Sequence, residues 1–530
     1  MGLRRDSIHM TRAIALPLVC AVTALAAAGC GASAGSGGDA DPASLVPASA
    51  PIYAEAAVQP TGERRDDALA AAGKLLRTDD PAGRLRRLID DGLADDGGLT
   101  WEKDFAPWLG EDAGVWASNL EAPEPSWAVI VATKDAEAAA TALGRFREDD
   151  PDATYTNRSY DGVDYAVDDE RVANGMVDDF VVIGTEDAFK RTADLRDGGD
   201  ALADADRYRT VVGDLGDDSL GHYYMDLRPV FEAALKQDPE TAAQLDQIKS
   251  IVPFEKLGPI TGAFQADGDG MSLDTVLTGV PEGPFRDLAK LWPGSEAKLL
   301  AGLPADAWGA LAIPGLGEAA KSTLNSFAGA LGGAAVAAQV KQATGLDLSQ
   351  DVFSWVGDVG GFVRGADEAS LDGALVIQAT DDAKARTAFG KLIGLIAKQS
   401  GAVPKPVQVD GADAAFALPA TGADKPVVIA HGQGRVVVGY GVAAATAGLK
   451  GDGGLGGSEL YGDAKGVLGD DVSPSFLLSM PAVITLVDAM GQVDADFEEA
   501  RPYLETLGSI ATGGATDDDR VESRIAVSLK

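Results

Sequence analysis

The sequence is poorest in the residues that carry out most protein chemistry. It has two cysteines and three histidines in 530 residues, and its basic residues are outnumbered, with 44 Lys and Arg against 82 Asp and Glu. Each shortage excludes something. Cys20 lies inside an apolar stretch near the N-terminus and Cys30 just after it, so once that stretch is removed no disulfide framework can form. Histidine is the commonest general base. His9 falls in the N-terminal segment, while His222 ("GHYYMDL") and His431 ("AHGQGRV") lie near no nucleophile elbow, and both read as surface or hydrogen-bonded structural histidines. A formal charge of −38 excludes nucleic acid, whose binding requires neutralisation of phosphates. The carboxylates come as scattered doublets such as Asp79-Asp80, Asp149-Asp150, Asp178-Asp179 and Asp470-Asp471, the pattern of a solvated acidic surface.

What is present begins with an export signal. Arg4, Arg5 and Arg12 precede the apolar run "AIALPLVCAVTALAAAG" from Ala13 to Gly29, which has signal-peptide length and ends in small residues. Its end, "LAAAGC", resembles the lipobox of bacterial lipoproteins, in which the cysteine is acylated and becomes the mature N-terminus. Ala27 stands where that motif usually has a larger aliphatic residue, with Leu25 two places upstream. Cys30 is the candidate lipidation residue. Residues 30–43, "CGASAGSGGDADPA", then form a Gly, Ser and Ala-rich tether. Loss of residues 1–29 removes three Arg and one Asp and takes the charge from −38 to −40.

The rest of the chain repeats itself. "WLGEDAGVW" from Trp108 returns as "WVGDVGGFV" from Trp355, and "WAVIVATKDAEAAATALGRF" from Trp127 returns as "GALVIQATDDAKARTAFGKL" from Gly373. Further pairs are "PASAPIY" with "PADAWG", "YDGVDYAV" with "VDGADAAF", "YRTVVGDLGDD" with "YGDAKGVLGDD", and "FEKLGPITGAF" with "LETLGSIATGG". Matches in one order at an offset between about 245 and 257 residues are the mark of internal duplication. The expected organisation is a signal peptide at 1–29, the tether at 30–43, a first repeat at 44–289, a linker at 290–298 and a second repeat at 299–530.

Both copies predict the same elements. "WAVIVAT" and "ALVIQAT" read as strands, each followed by an Asp N-cap and a helix. "DDFVVIGT" and "GRVVVGYG" are again strands before helices, and each half closes on a strand pair around a polar turn. The fold class is α+β: in each repeat a mainly antiparallel sheet with helices packed on it, on one face. Gly110 and Gly357 read as helix-ending or turn glycines, and Trp108 and Trp355 as core anchors beneath that turn.

No constellation for catalysis emerges. "GASAG" at Gly31 to Gly35 matches a nucleophile-elbow pattern but lies in the tether, and "GKL" at Gly73 and Gly390 lacks the spacing of a phosphate loop. Asp267, Asp269 and Asp274 are hard-oxygen candidates for calcium. However, an EF-hand loop starting at Asp267 would end on Thr278, and a polar hairpin turn explains the three better. The repeats differ most between their first strand and the Trp turn. The first carries "RRDDALAAAGKLLRTDDPAGRLRRLIDDGL" there and the second "LNSFAGALGGAAVAAQVKQATGL". The apolar Phe327 to Ala338 segment is too short to span a bilayer. It reads as a buried helix between the repeats, as a flexible lid over an apolar ligand cavity, or as a membrane-surface contact.

With the lipobox, "LVPASAPIYAEAAV" and "PWLGEDAGV", the chain resembles a family of exported lipoproteins from high-GC Gram-positive bacteria catalogued as a domain of unknown function. The likeness rests chiefly on the opening strand and the Trp-Gly turn, covers nearly all of the mature chain, and implies no catalytic residue. The expectation is a non-enzymatic lipoprotein on the extracellular face of the cell membrane, acting as a binding or scaffolding module. Its partners would be the membrane through the lipid anchor and an envelope protein or an apolar ligand. No nucleic acid, cofactor or metal is expected. The alternatives are a carrier of lipid or another apolar ligand and, with no motif behind it, an envelope hydrolase.

Overall fold

The structure is a computed structural model. It describes residues 40–530 except 95–98, 121, 123, 149–152, 217–218, 238–251, 290, 292–297, 331–332, 400–402, 420–423, 452, 492 and 518. The signal, Cys30, nearly all of the tether and most of the 290–298 linker therefore lie outside the described residues. The chain divides into two units. Described residues up to 237 together with 258–275 form the first, and 252–257 together with 276–530 form the second.

The first unit is built on strands β1 (Ile52–Ala57), β2 (Leu109–Ser118), β3 (Ser126–Thr133), β4 (Thr156–Tyr160), β5 (Val163–Val167), β6 (Val172–Val177), β7 (Phe180–Thr185), β8 (Gly221–Met225), β9 (Ile260–Asp267) and β10 (Gly270–Leu277). Its helices are α1 (Gly62–Leu76), α2 (Pro81–Ala94), α3 (Ala136–Glu148), α4 (Glu186–Ala193), α5 (Asp206–Val212) and α6 (Leu227–Gln237). The pairings give one sheet in the order β4-β5-β6-β7-β3-β2-β1-β8-β9-β10.

The second unit contains α7 (Pro284–Ala289), α8 (Lys298–Ala301), α9 (Leu316–Ala330), α10 (Gly333–Thr344), α11 (Asp382–Gln399), α12 (Val442–Leu449), α13 (Glu459–Leu468), α14 (Met480–Met490) and α15 (Ala495–Leu504). Its strands are β11 (Gly309–Ile313), β12 (Val356–Arg364), β13 (Asp372–Ala379), β14 (Lys405–Pro406), β15 (Ala414–Leu418), β16 (Val427–Gly432), β17 (Arg435–Tyr440), β18 (Ser473–Ser479), β19 (Leu507–Thr516) and β20 (Val521–Leu529). They pair in the order β14-β15-β16-β17-β13-β12-β11-β18-β19-β20, all antiparallel. Position for position, this is the strand order of the first unit. The fold is α+β with antiparallel sheet.

Local chemistry explains the shared elements. Asp135 accepts a hydrogen bond from the Ala138 backbone N–H at 2.9 Å, and Asp381 accepts one from Lys384 at 3.1 Å. Each caps the helix that follows the central strand of its unit. A π-helical turn, Trp101–Phe105 in one unit and Leu348–Val352 in the other, leads into each Trp-Gly phrase.

Two expectations are corrected. The helices cover both sheet faces. Ala128, Ile130 and Ala132 of β3 pack with α4 residues Ala188 and Phe189, while Val129 and Val131 pack with α3 residues Ala139, Ala142 and Leu143. A strand apolar at every position needs cover on both sides. In the second unit, Val376 lies with α12 and α13, and Ile377 lies with Ala385 and Phe389 of α11. Gly110 and Gly357 are strand residues, with no left-handed backbone. A Cβ on Gly110 would lie 2.8 Å from the Ala132 backbone, and one on Gly357 would lie 3.0 Å from the Gln378 carbonyl oxygen. Close approach of the neighbouring strand, not turn geometry, requires glycine there.

Candidate functional site

The first unit carries one inward-facing polar cluster for which the second has no counterpart. On β1, Tyr53 and Glu55 project to the same face. Register places Tyr53 opposite Trp116 of β2 and Tyr224 of β8, and Glu55 opposite Gly114 of β2 and His222 of β8. α5 brings Tyr208 over this face, and Arg207 beside it holds Asp226 at 2.8 Å. The Tyr208 hydroxyl lies 2.8 Å from His222 Nε2, and the Tyr53 hydroxyl donates to the Glu55 carboxyl. The rings of Tyr53, Tyr208 and His222 sit 5.9, 6.0 and 6.1 Å apart, with Tyr224 edge-on to Tyr208 at 5.4 Å. Tyr53, Tyr208 and Tyr224 are buried, while Glu55 and His222 are half-buried.

Burial governs the electrostatics. Desolvation raises the Glu55 carboxyl to about 8, against the opposing hydrogen bond from Tyr53, and the nearby Asp41 and Asp112 push in the same direction as burial. Desolvation lowers His222 to about 4. It lifts Tyr224 to about 12 and holds the hydroxyls of Tyr53 and Tyr208 protonated. Near neutrality the cluster therefore pairs a protonated carboxyl with an unprotonated imidazole on adjacent strands. The arrangement keeps a proton where a solvated glutamate would have released it.

Glycine makes the room. A Cβ on Gly114 would stand 2.8 Å from both Cε2 and the hydroxyl of Tyr53. Gly114→Ala is expected to push the ring off Glu55 and to cost about 1–3 kcal/mol, checked by urea denaturation. An unchanged midpoint would show that the strands can part without loss.

The second unit places apolar groups at the matching register. Ala310 pairs with Phe362 and Leu477, and Ala312 with Gly360. Ala310 and Ala312 are both buried in its core.

The residues singled out by sequence are dispersed. Trp108 and Trp355 are buried core residues, each donating its indole N–H to a carbonyl four residues back, that of Asp104 at 2.6 Å and Asp351 at 2.8 Å. His222 is the partner of Tyr208. His431 is fully buried in the second unit, neither at the surface nor hydrogen-bonded. At the β9–β10 turn, Asp267 accepts from the Asp269 backbone N–H at 2.8 Å, and Asp269 meets Lys74 at 3.0 Å. No metal-holding group of three His, Cys, Asp or Glu occurs among the described residues. The Phe327 to Ala338 segment is divided between the end of α9 and the start of α10, and nearly all of its side chains lie outside the described residues. Cys30 and the Gly31 to Gly35 string also lie outside them. Sequence reasoning missed Glu55 and the three tyrosines. The available signal was a single acid two places from Tyr53 within the apolar strand "IYAEAA".

A family model described as Protein of unknown function (DUF3352) matches residues 11–424. The chain belongs to this family. The match begins two residues before the N-terminal apolar run and takes in the whole Tyr53–Glu55–His222 cluster. No curated protein matches the chain. Among solved structures, three crystal forms of TP0453 are similar to it. Form I has 12% identity and a TM-score of 0.24, covering 45% of this chain and 79% of that one. Form III has 10% identity and a TM-score of 0.23, with 47% and 85% covered, and form IV has 11% and 0.25, with 45% and 80% covered. At those scores nothing carries over from TP0453 to this family member. No helix among the described residues is long and apolar enough to cross a membrane.

Proposed function

We propose that this protein is an exported envelope lipoprotein of a high-GC Gram-positive bacterium, anchored through Cys30 to the extracellular face of the cell membrane and acting as a non-enzymatic binding or scaffolding module. The observation that carries the reading is the stretch "AIALPLVCAVTALAAAGC", an export signal closing on a cysteine with small residues before it. The folded region supports it. Asp41 caps the one-turn helix Pro42–Leu45, and Ala43, Leu45 and Val46 are buried in the first unit's core, so ordered structure begins inside the 30–43 stretch and its last residues belong to the folded unit. Two units with one strand order are what gene duplication of a single scaffold would leave. The strongly acidic composition suits a basic or neutral protein partner better than an anionic lipid surface.

The test is metabolic labelling with a clickable fatty acid in the native host. Wild-type protein is expected to take the label and to sediment with membranes. Cys30→Ser is expected to lose the label and to appear in the soluble envelope or medium fraction. Label that persists in Cys30→Ser would overturn the anchor.

A further inference from the structure

We propose that Arg191 and Ser49 of the first unit form a receptor for a carboxylate carried by an otherwise neutral or basic ligand. The comparison of the two units carries this. In the second unit Arg364, at the end of β12, holds its guanidinium over the Phe362 ring, 5.8 Å from the centroid, and acids close it off. Its Nε lies 2.7 Å and one Nη 3.1 Å from the two oxygens of Asp372, and the other Nη lies 3.3 Å from Asp306. In the first unit a guanidinium again lies over the matching ring, that of Arg191 from α4, 5.2 Å from the centroid of Trp116. The acids are gone. Register and sequence put Ser118 where the second unit has Arg364, Ser126 where it has Asp372, and Ser49 where it has Asp306.

Arg191 is left with hydroxyls. One Nη donates to Ser118 at 2.5 Å and the other to Ser49 at 3.3 Å, and no carboxylate among the described residues lies within ion-pair distance. Asp187, one turn earlier on α4, accepts instead from the Ser126 hydroxyl at 2.9 Å, and Ser126 in turn accepts from Asn119 at 3.0 Å. Ser118 is buried and Arg191 half-buried, while Ser49 is exposed. Ser118 and the Trp116 ring therefore orient the guanidinium, and its solvent-facing edge adjoins the Ser49 hydroxyl.

That edge is what a carboxylate needs. A guanidinium has five donors in a fixed fork and no acceptor, and the two serines take two of them. Pairing with a carboxylate through two parallel N–H···O bonds is the strong form of the contact, and Arg364 with Asp372 is an instance of it in this chain. The Ser49 hydroxyl accepts from Arg191 and keeps its own hydrogen to donate to the same ligand. The net charge of −38 opposes a polyanion, so the carboxylate belongs to a ligand with no further negative charge. The site rests on the binding-module reading, to which it gives a ligand chemistry, and is independent of the anchor at Cys30.

The experiment is an NMR titration of the mature chain in which sodium acetate replaces sodium chloride at constant ionic strength, read at the backbone amides of Ser49, Ser118 and Arg191. A saturable shift is expected. Arg191→Gln is expected to weaken acetate binding about tenfold or more. Ser49→Asp supplies the acid that Asp306 supplies in the second unit, so it is expected to weaken binding by a similar factor while the urea midpoint stays at or above that of the wild type. The tripeptide Ala-Ala-Ala and its C-terminal amide separate the two sources of a carboxylate. Tripeptide bound about tenfold or more tighter than acetate, with the amide inert, assigns the site to the end of a partner chain, and tripeptide bound no better than acetate assigns it to a small organic acid. No saturable shift with either probe, or binding that survives unchanged in Arg191→Gln or in Ser49→Asp, would overturn the receptor.

Discussion

Glu55→Gln is expected to remove the loss of stability that the wild type shows as pH rises from about 6.5 to about 8. The folded state holds the Glu55 proton up to about 8, while the unfolded chain releases it near 4.5. Between those values the folded state binds more protons than the unfolded one, so stability is full below 4.5 and falls as pH rises through 8. His222 runs the other way. Its folded value is lowered to about 4 from 6.5, so its contribution is full above 6.5 and is lost as pH falls through 4. Between 4.5 and 6.5 the two slopes oppose each other, and the wild type should show a plateau there. Of these two groups only Glu55 acts above 6.5 and only His222 below 4.5, where Glu186, lowered to about 2 by Lys190 and Arg158, adds its own acid-side loss to that of His222.

Glutamine mimics the neutral carboxyl and keeps a partner for Tyr53. The variant should therefore match the wild type at low pH and exceed it near pH 8 by roughly 3 kcal/mol, a figure reduced for the edge of Glu55 that solvent reaches. His222→Gln should give the complement, a stability that declines from about 4.5 upward without the acid-side loss. Urea denaturation at half-unit pH steps measures both. Parallel profiles for wild type and Glu55→Gln between 6.5 and 8 would show that Glu55 is ionised in the fold, and the proton-holding cluster would then be wrong.

What can be read from the sequence follows how local the signal is. The strand and helix after Trp127 are legible because apolar residues, an Asp cap and helix formers are contiguous there, and the second copy repeats the pattern after Gly373. The layer arrangement is half legible. "WAVIVAT" is apolar at consecutive positions, which calls for cover on both faces, yet the short turns point instead to the one-sided sheets common in antiparallel folds. Gly110 misleads because a glycine after a helical turn looks like a cap. Its reason lies in the backbone of Ala132, 22 residues away in sequence, which would stand only 2.8 Å from any Cβ placed on Gly110.

The polar cluster is less legible still. Glu55 and His222 are separated by 167 positions and meet only through the β1–β8 register. Tyr208 reaches them from a helix that the duplicated phrase "YRTVVGDLGDD" marks as scaffold. Comparison of the copies holds the missing clue, since Tyr53 and Glu55 stand where the second unit has Ala310 and Ala312. Two units with one strand order share the features that serve packing, and the positions where one unit turns polar are where a further role can be carried.

Trp108→Ala is expected to cost about 3–5 kcal/mol, and Trp355→Ala a similar amount. Each indole is almost fully buried, at 3% and 6% exposed. Each donates its N–H to the carbonyl four residues back and offers its own carbonyl to the strand's far end, Trp108 accepting from Lys134 at 2.8 Å and Trp355 from Thr380 at 2.7 Å. Truncation therefore removes a large apolar surface, leaves a cavity against the covering helices and strips a donor from a carbonyl in a π-helical turn. Phenylalanine fills much of the space but not the hydrogen bond, and should cost about 1–2 kcal/mol. Site-resolved hydrogen exchange gives the sharper reading. Trp108→Ala should lower protection along β2 and β3, and Trp355→Ala along β12 and β13. Matching losses would mean that the repeated phrase is retained for packing alone in both units. A Trp108 substitution that costs less than about 1 kcal/mol while Trp355 keeps the full cost would instead mean that the first tryptophan is held for something other than stability.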